Sequence, residues 1–128
     1  MQRTHGMVGG EKSRRFIIRY SCLRIHPREP LELKGGTMFT FVTDGIEAAL
    51  AQAREVAGGK DVSLAGGANA AQQYLTSDLV DEMEINLVPT LLGSGESLFS
   101  GMGDNLHGLE LVRTVAAPRV THLKFVRR

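Results

Sequence analysis

Apolar residues fall at helical spacing most clearly in one place. Ile46, Ala49, Leu50, Ala53, Val56 and Ala57 form a single stripe, with Gln52, Arg54 and Glu55 turned away from it, and this predicts an amphipathic helix. Asp44 followed three residues later by Glu47 is a capping-box pattern for its start, and Gly58-Gly59 supplies a left-handed stop. Other stretches alternate or cluster as strands do. Phe16 to Ile25 and Thr37 to Val42 carry enough β-branched, aromatic and apolar character for one strand each. Between them, His26-Pro27-Arg28-Glu29-Pro30 and then Lys34-Gly35-Gly36 break the chain. Met83, Ile85 and Leu87 alternate with Glu84 and Asn86, which predicts a strand with one wetter face, closed by Pro89. Leu109 to Ala116 and Val120 to Val126, separated by Ala117-Pro118-Arg119, predict an antiparallel hairpin. Helices between the middle strands imply parallel pairing there, and the terminal hairpin makes the expected sheet mixed.

The stretch from Asp61 to Leu75 carries the most chemistry. A short apolar run ends at Gly66-Gly67 and passes into residues with Ala71, Tyr74 and Leu75 at helical spacing, so it reads as strand, tight turn, helix. Two residues without side chains at such a junction let a ligand approach the backbone, and the first N–H groups of a helix have no intrahelical partner, which suits an anion such as a pyrophosphate. A glycine pair also serves as a simple tight connection, and the run is not a G-x-G-x-x-G fingerprint.

Composition narrows the class. A chain of 128 residues with 42% hydrophobic content has enough material for one ordinary core, so a single domain is expected. Fifteen Lys plus Arg against fourteen Asp plus Glu leave a net charge of +1, which argues against a dedicated nucleic-acid binder. The charge is uneven: seven basic residues and one acid, Glu11, precede Pro30, so residues 1–15 are expected to form a flexible basic arm. Cys22 is the one cysteine; it excludes an intramolecular disulfide and suits a reducing cytoplasm. No apolar run is long enough to span a bilayer, so no membrane partner is expected.

Several familiar signatures fail on spacing. Gly9-Gly10-Glu11-Lys12-Ser13 superficially resembles a phosphate loop, but Glu11 intervenes before the lysine and no strand precedes it. Gly93-Ser94-Gly95 lacks the flanks of a nucleophile elbow. His5, His26, His107 and His122 make no H-x-x-x-H pair, and no zinc set is present in the pattern. His122 reads as a sheet-face residue, and Cys22 as a small packed residue with no activating partner nearby in sequence.

Taken together, Phe41-Val42-Thr43-Asp44-Gly45, Ala65-Gly66-Gly67-Ala68, Leu79-Val80-Asp81-Glu82, Val88 through Gly95, and Leu98-Phe99 resemble the dihydrofolate reductase-like superfamily. Within it, the sequence is most similar to the reductase domain of the bifunctional riboflavin-biosynthesis deaminase-reductase and its stand-alone relatives, over about residues 26 to 126. The resemblance implies a three-layer α/β/α domain over 16–128, with a mixed sheet and a C-terminal antiparallel hairpin. It also implies binding of NADPH and transfer of hydride to a small substrate, pyrimidine-ribose or pterin-like. On the matched positions, Gly66 and Gly67 accept the cofactor's pyrophosphate, with Ala68, Asn69 and Ala70 opening the helix, and Thr43 lies near the adenosine end. Arg24, with His26, is placed to meet the 2′-phosphate, although relatives usually show a small hydroxyl residue at the position of Arg24.

Relatives begin with a strand and loop over the nicotinamide and then a pocket-lining helix, and nothing in Met1 to Arg19 reads like them. The fold is therefore expected to be truncated or replaced at its N-terminus, with impaired turnover. No catalytic acid is assigned, since Asp81 and Glu82 read as a surface connection into a strand. Relatives often pair through sheet edges or their last strands, so a homodimer is expected. Two other readings remain: a non-catalytic nucleotide-binding or self-associating module that keeps the fold, and a basic-arm binder of RNA or DNA, which the near-neutral charge disfavours.

Overall fold

The structure, a computed structural model, describes residues 2–6, 17–23, 26–34, 36–103 and 108–128, the first two segments as backbone only. The chain divides into two compact units, Met1–Ala70 and Ala71–Arg128.

The first unit is built on a five-stranded mixed sheet in the order β3-β4-β2-β1-β5. Its strands are β1 (Gln2–Gly6), β2 (Ile17–Leu23), β3 (Leu31–Glu32), β4 (Met38–Val42) and β5 (Val62–Leu64). Strand β2 pairs parallel with β4, while β1 pairs antiparallel with both β2 and β5. Consequently β2, β4 and β5 all run the same way, and their carboxyl ends share one edge. The expected parallel pairing of middle strands is present between β2 and β4, but β4 and β5, joined by a helix, are separated by two strands. Helix α1 (Gly45–Ala57) makes that connection and lies mainly across β1 and β2.

Strand β1 corrects the expectation of a flexible arm over residues 1–15: Gln2–Gly6 is an inner strand, hydrogen-bonded on both sides. Its sequence, Gln-Arg-Thr-His-Gly, carries no apolar signal, so only pairing with partners far along the chain makes it a strand. The short β3 was also missed. It lies between the two breaks read in the sequence, and a turn closed by Gly36 N–H to the Leu33 carbonyl (3.1 Å) folds it back antiparallel onto β4.

Helix α1 buries the stripe that its periodicity drew, with Ala53 fully enclosed and Ile46, Ala49, Leu50 and Ala57 buried alongside. Val56 departs from the stripe and is 49% exposed. The stop is as expected: Gly58 takes the left-handed conformation (φ 58, ψ 43), and its N–H reaches the Arg54 and Glu55 carbonyls. The start is not. Asp44 occupies the N-cap, yet its side chain makes no capping hydrogen bond, so the expected capping box does not form.

The second unit contains β6 (Glu82–Leu87), β7 (Leu109–Ala117) and β8 (Val120–Arg127) in a separate antiparallel sheet ordered β6-β8-β7. This corrects the expectation of one mixed sheet that includes the terminal hairpin. The reason is that β6 pairs along its whole length with β8, Glu82 facing Val126 and Leu87 facing Thr121. The hairpin itself is as expected, with one irregularity between Leu111 and Arg113. On β6 the alternation holds from Glu82 to Asn86, with Met83 and Ile85 half-buried and the intervening polar residues exposed.

Helix α2 (Ala68–Thr76) begins in the first unit and ends in the second. It buries Tyr74 and Leu75. Its end is a Schellman turn: Leu79 N–H reaches the Tyr74 carbonyl and Asp78 N–H the Leu75 carbonyl, with Asp78 in the left-handed region at φ 57.

Candidate functional site

Register fixes where the predicted residues lie. Gln2 faces Ser21 on one side and Leu64 on the other, and Ser21 faces Thr40. Leu64, Gln2, Ser21 and Thr40 therefore form one row across β5, β1, β2 and β4. Thr43 is the third residue past this row on β4, and Gly67 is the third past it on β5. The two stand at the same level, beyond the carboxyl ends of strands that run in the same direction. Three strand spacings separate them, roughly 14 Å at ~4.8 Å per strand. Arg24, the third predicted position, follows β2 but lies outside the described residues, as does the Gly9–Ser13 run. His26 is exposed in the segment after β2.

The glycine corner is open. Gly66 adopts φ +115, a conformation L side chains rarely take, and the Gly66–Gly67 peptide is cis. A Cβ built on either glycine meets no atom within 4 Å, so no side chain fills the space in front of this backbone. Gly67 and Asn69 are exposed, while Ala68 and Ala70 are half-buried. Glycine at this corner serves conformation at Gly66 and leaves clear approach at both positions. Directly behind it α2 starts, and its first-turn residues, Ala68, Asn69 and Ala70, include no acid. An anion placed there meets the positive end of the helix without a competing carboxylate on that turn.

At the other end of the row the structure reveals a group that sequence reading passed over. Arg28, read only as part of a chain break and a basic segment, has its Cζ 5.3 Å from the centroid of the Phe41 ring. Nothing in a His-Pro-Arg-Glu-Pro run signals such a contact, because it depends on the chain folding back through β3 along β4.

The remaining candidates lie in the second unit and carry no reactive arrangement. His122 donates from Nδ1 to Asn86 Oδ1 at 2.6 Å and lies 3.8 Å from Glu84 Oε1, a sheet-face residue as expected. Glu82 pairs with Lys124 at 2.9 Å, and Asp81 is exposed in the connection into β6. Among the described residues, no group of three or more His, Cys, Asp or Glu is placed to hold a metal ion, and no helix is long and apolar enough to cross a membrane.

A mixed sheet with a helical crossover, whose co-directional strands end at a glycine-lined edge, defines an α/β domain of the kind that takes ligands outside the carboxyl ends of its strands. More narrowly, residues 3–123 match the family model described as the RibD C-terminal domain, and the chain belongs to that family, the riboflavin-biosynthesis reductase domain of the dihydrofolate reductase-like superfamily. The match reaches back to residue 3 and so corrects the expectation that family likeness starts near residue 26. The chain is also 32% identical over 88 residues to an uncharacterized protein, YwjB, of Bacillus subtilis strain 168. That alignment covers 69% of this chain and 49% of YwjB, so the chain spans about half the length of this curated relative.

Proposed function

We propose that the chain is an NADPH-dependent reductase that passes hydride to a small pyrimidine-ribose or pterin-like substrate, in a three-layer α/β/α arrangement. The observation that carries this reading is the open Gly66–Gly67 corner at the carboxyl edge of the five-stranded sheet, in a chain of the RibD C-terminal family. The residues present suit a dinucleotide. Gly66 and Gly67 give backbone that a pyrophosphate can approach, and Ala68, Asn69 and Ala70 supply the helix start that favours its charge. Thr43 offers a hydroxyl at the same level near the adenosine end, and Arg24 follows β2 toward the same edge in sequence. When bound, the cofactor supplies the hydride; the chain's contribution is to hold and orient it against the acceptor.

The same reading includes a second copy of the chain as partner, in a cytoplasmic setting, with no nucleic acid or membrane required for function. A homodimer is supported by β7, which has a neighbour on one side only in its sheet and carries exposed Leu111 and Val115. An unpaired strand of nine residues is a ready template for association.

The test is a titration of the purified full chain with NADPH, followed by melting temperature, then by loss of reduced-nicotinamide absorbance with the pyrimidine intermediate of flavin synthesis and with dihydrofolate. Ligand-dependent stabilisation with oxidation in one mixture is the expected result. Stabilisation without oxidation in either mixture selects instead the non-catalytic nucleotide-binding module, and absence of any shift removes the cofactor from the reading.

A further inference from the structure

We propose that Arg28, seated over the ring of Phe41, is the residue that selects a phosphorylated adenosine ribose and so sets the preference for NADPH over NADH. The proposal deepens the dinucleotide reading above and rests on it.

Arg28 is exposed and its guanidinium lies over the Phe41 ring, 5.3 Å from centroid to Cζ. Phe41 and Thr43 are two residues apart, so strand alternation directs both to the same face of β4. The guanidinium thus lies over the face that Thr43 continues, at the carboxyl edge the glycine corner shares. A cation here stands across the sheet from Gly67 by about three strand spacings, roughly 14 Å, a span that an adenosine diphosphate and an arginine side chain cover together.

Stacking on an aromatic ring limits the side chain's freedom before any ligand arrives. It leaves the planar N–H fork able to meet a phosphate with two parallel bonds. Such a contact distinguishes the two cofactors, because only one of them carries a phosphate on the adenosine ribose. The opposing group at this end is Asp44, exposed beside Thr43 with no capping bond of its own. A carboxylate there favours a ribose hydroxyl and disfavours a phosphate. The balance between Arg28 and Asp44 is therefore what the experiment reads.

Dissociation constants for NADPH, NADH, adenosine 2′,5′-bisphosphate and adenosine 5′-monophosphate are measured on the full chain, on Arg28→Ala and on Arg28→Lys. Arg28 is exposed, so neither variant disturbs a core. The expected result is a preference for the phosphorylated member of each pair that falls roughly 10- to 100-fold in Arg28→Ala, as loss of a charge-assisted bond predicts. Arg28→Lys retains part of the preference, and NADH affinity stays within about two-fold in both variants.

An unchanged ratio in Arg28→Ala overturns the assignment while leaving the cofactor reading intact. Equal weakening of NADPH and NADH also overturns it, since that pattern belongs to a side chain that merely covers Phe41. A wild-type preference for NADH gives the selection to Asp44 and overturns it as well. If the wild type binds none of the four probes, the assignment and the cofactor reading fall together.

Discussion

Arg127 Nη1 donates to Asp78 Oδ1 at 2.9 Å, and through this pair the end of β8 is tied to the turn that stops α2. The same arginine donates from Nε to the Val80 carbonyl at 3.0 Å, and its backbone N–H reaches the Asp81 carbonyl at 2.8 Å. One residue at the last strand thus satisfies three acceptors of the α2–β6 connection. The pattern explains how a short surface segment is fixed in register with a strand more than forty residues away.

Truncating the two partners should not cost the same. Arg127→Ala removes donors from a half-buried carbonyl and is expected to destabilise the chain by about 1–3 kcal/mol. Asp78 is largely exposed, so its side of the pair contributes under about 1 kcal/mol and fades with added salt. Because Asp78 sits at φ 57, Asp78→Asn keeps a residue that tolerates the left-handed region, and it should unfold at higher denaturant than Asp78→Ala. Urea midpoints of the three variants at low and high salt check the order.

Helix α1 offers a contrast between its two ends. Gly58→Ala forces a side chain into φ 58 and is expected to cost about 1 kcal/mol. Asp44→Ala removes no capping bond and should stay within about 0.5 kcal/mol. Finding Asp44→Ala as costly as a lost N-cap in chemical denaturation would show that the capping box forms in solution.

The difference between those ends also shows what was legible in the chain. Periodicity located α1, α2, β4, β6 and the terminal hairpin, because each of those buries residues at its own spacing. It did not find β1, where Gln2–Gly6 has no apolar residue and is held by hydrogen bonds from β2 and β5. Nor did it separate the hairpin from the mixed sheet, since the choice of β8 over β5 as the partner of β6 is made in three dimensions. At the site, Gly66 and Gly67 were readable because missing side chains are a chemical statement in themselves. Arg28 was not, because its meaning depends on a ring reached only after the chain folds back on β4.

The glycine corner separates a conformational role from a binding role. Gly66 needs its positive φ, so Gly66→Ala should cost roughly 1–3 kcal/mol through backbone strain alone. Gly67 does not lie in that region, and a Cβ there meets no protein atom, so Gly67→Ala should leave stability within about 0.5–1 kcal/mol. If a pyrophosphate lies against this backbone, Gly67→Ala nonetheless weakens NADPH by about ten-fold or more, as the methyl occupies ligand space. Calorimetric titration beside thermal melts of both variants tests this: normal affinity in a folded Gly67→Ala moves the cofactor elsewhere.

The open side of β7 makes the last prediction. Leu111 and Val115 are 53% and 45% exposed, on a strand whose other side is fully occupied by β8. They fall on opposite faces of the sheet, because the irregularity after Leu111 shifts the alternation: Leu111 faces Phe125, whereas Val115 faces His122. A partner strand added at this edge continues both faces, so both residues become enclosed when two copies associate. Charges at these positions are the means by which natural edge strands resist pairing. Leu111→Lys and Val115→Lys should therefore each leave the monomer's unfolding midpoint nearly unchanged, since both side chains are already in water. Either should also raise the dimer dissociation constant by about ten-fold or more, as burial of an unpaired charge predicts. Sedimentation velocity across a concentration series reads the effect directly. An association constant untouched by both substitutions would remove β7 as the contact between copies.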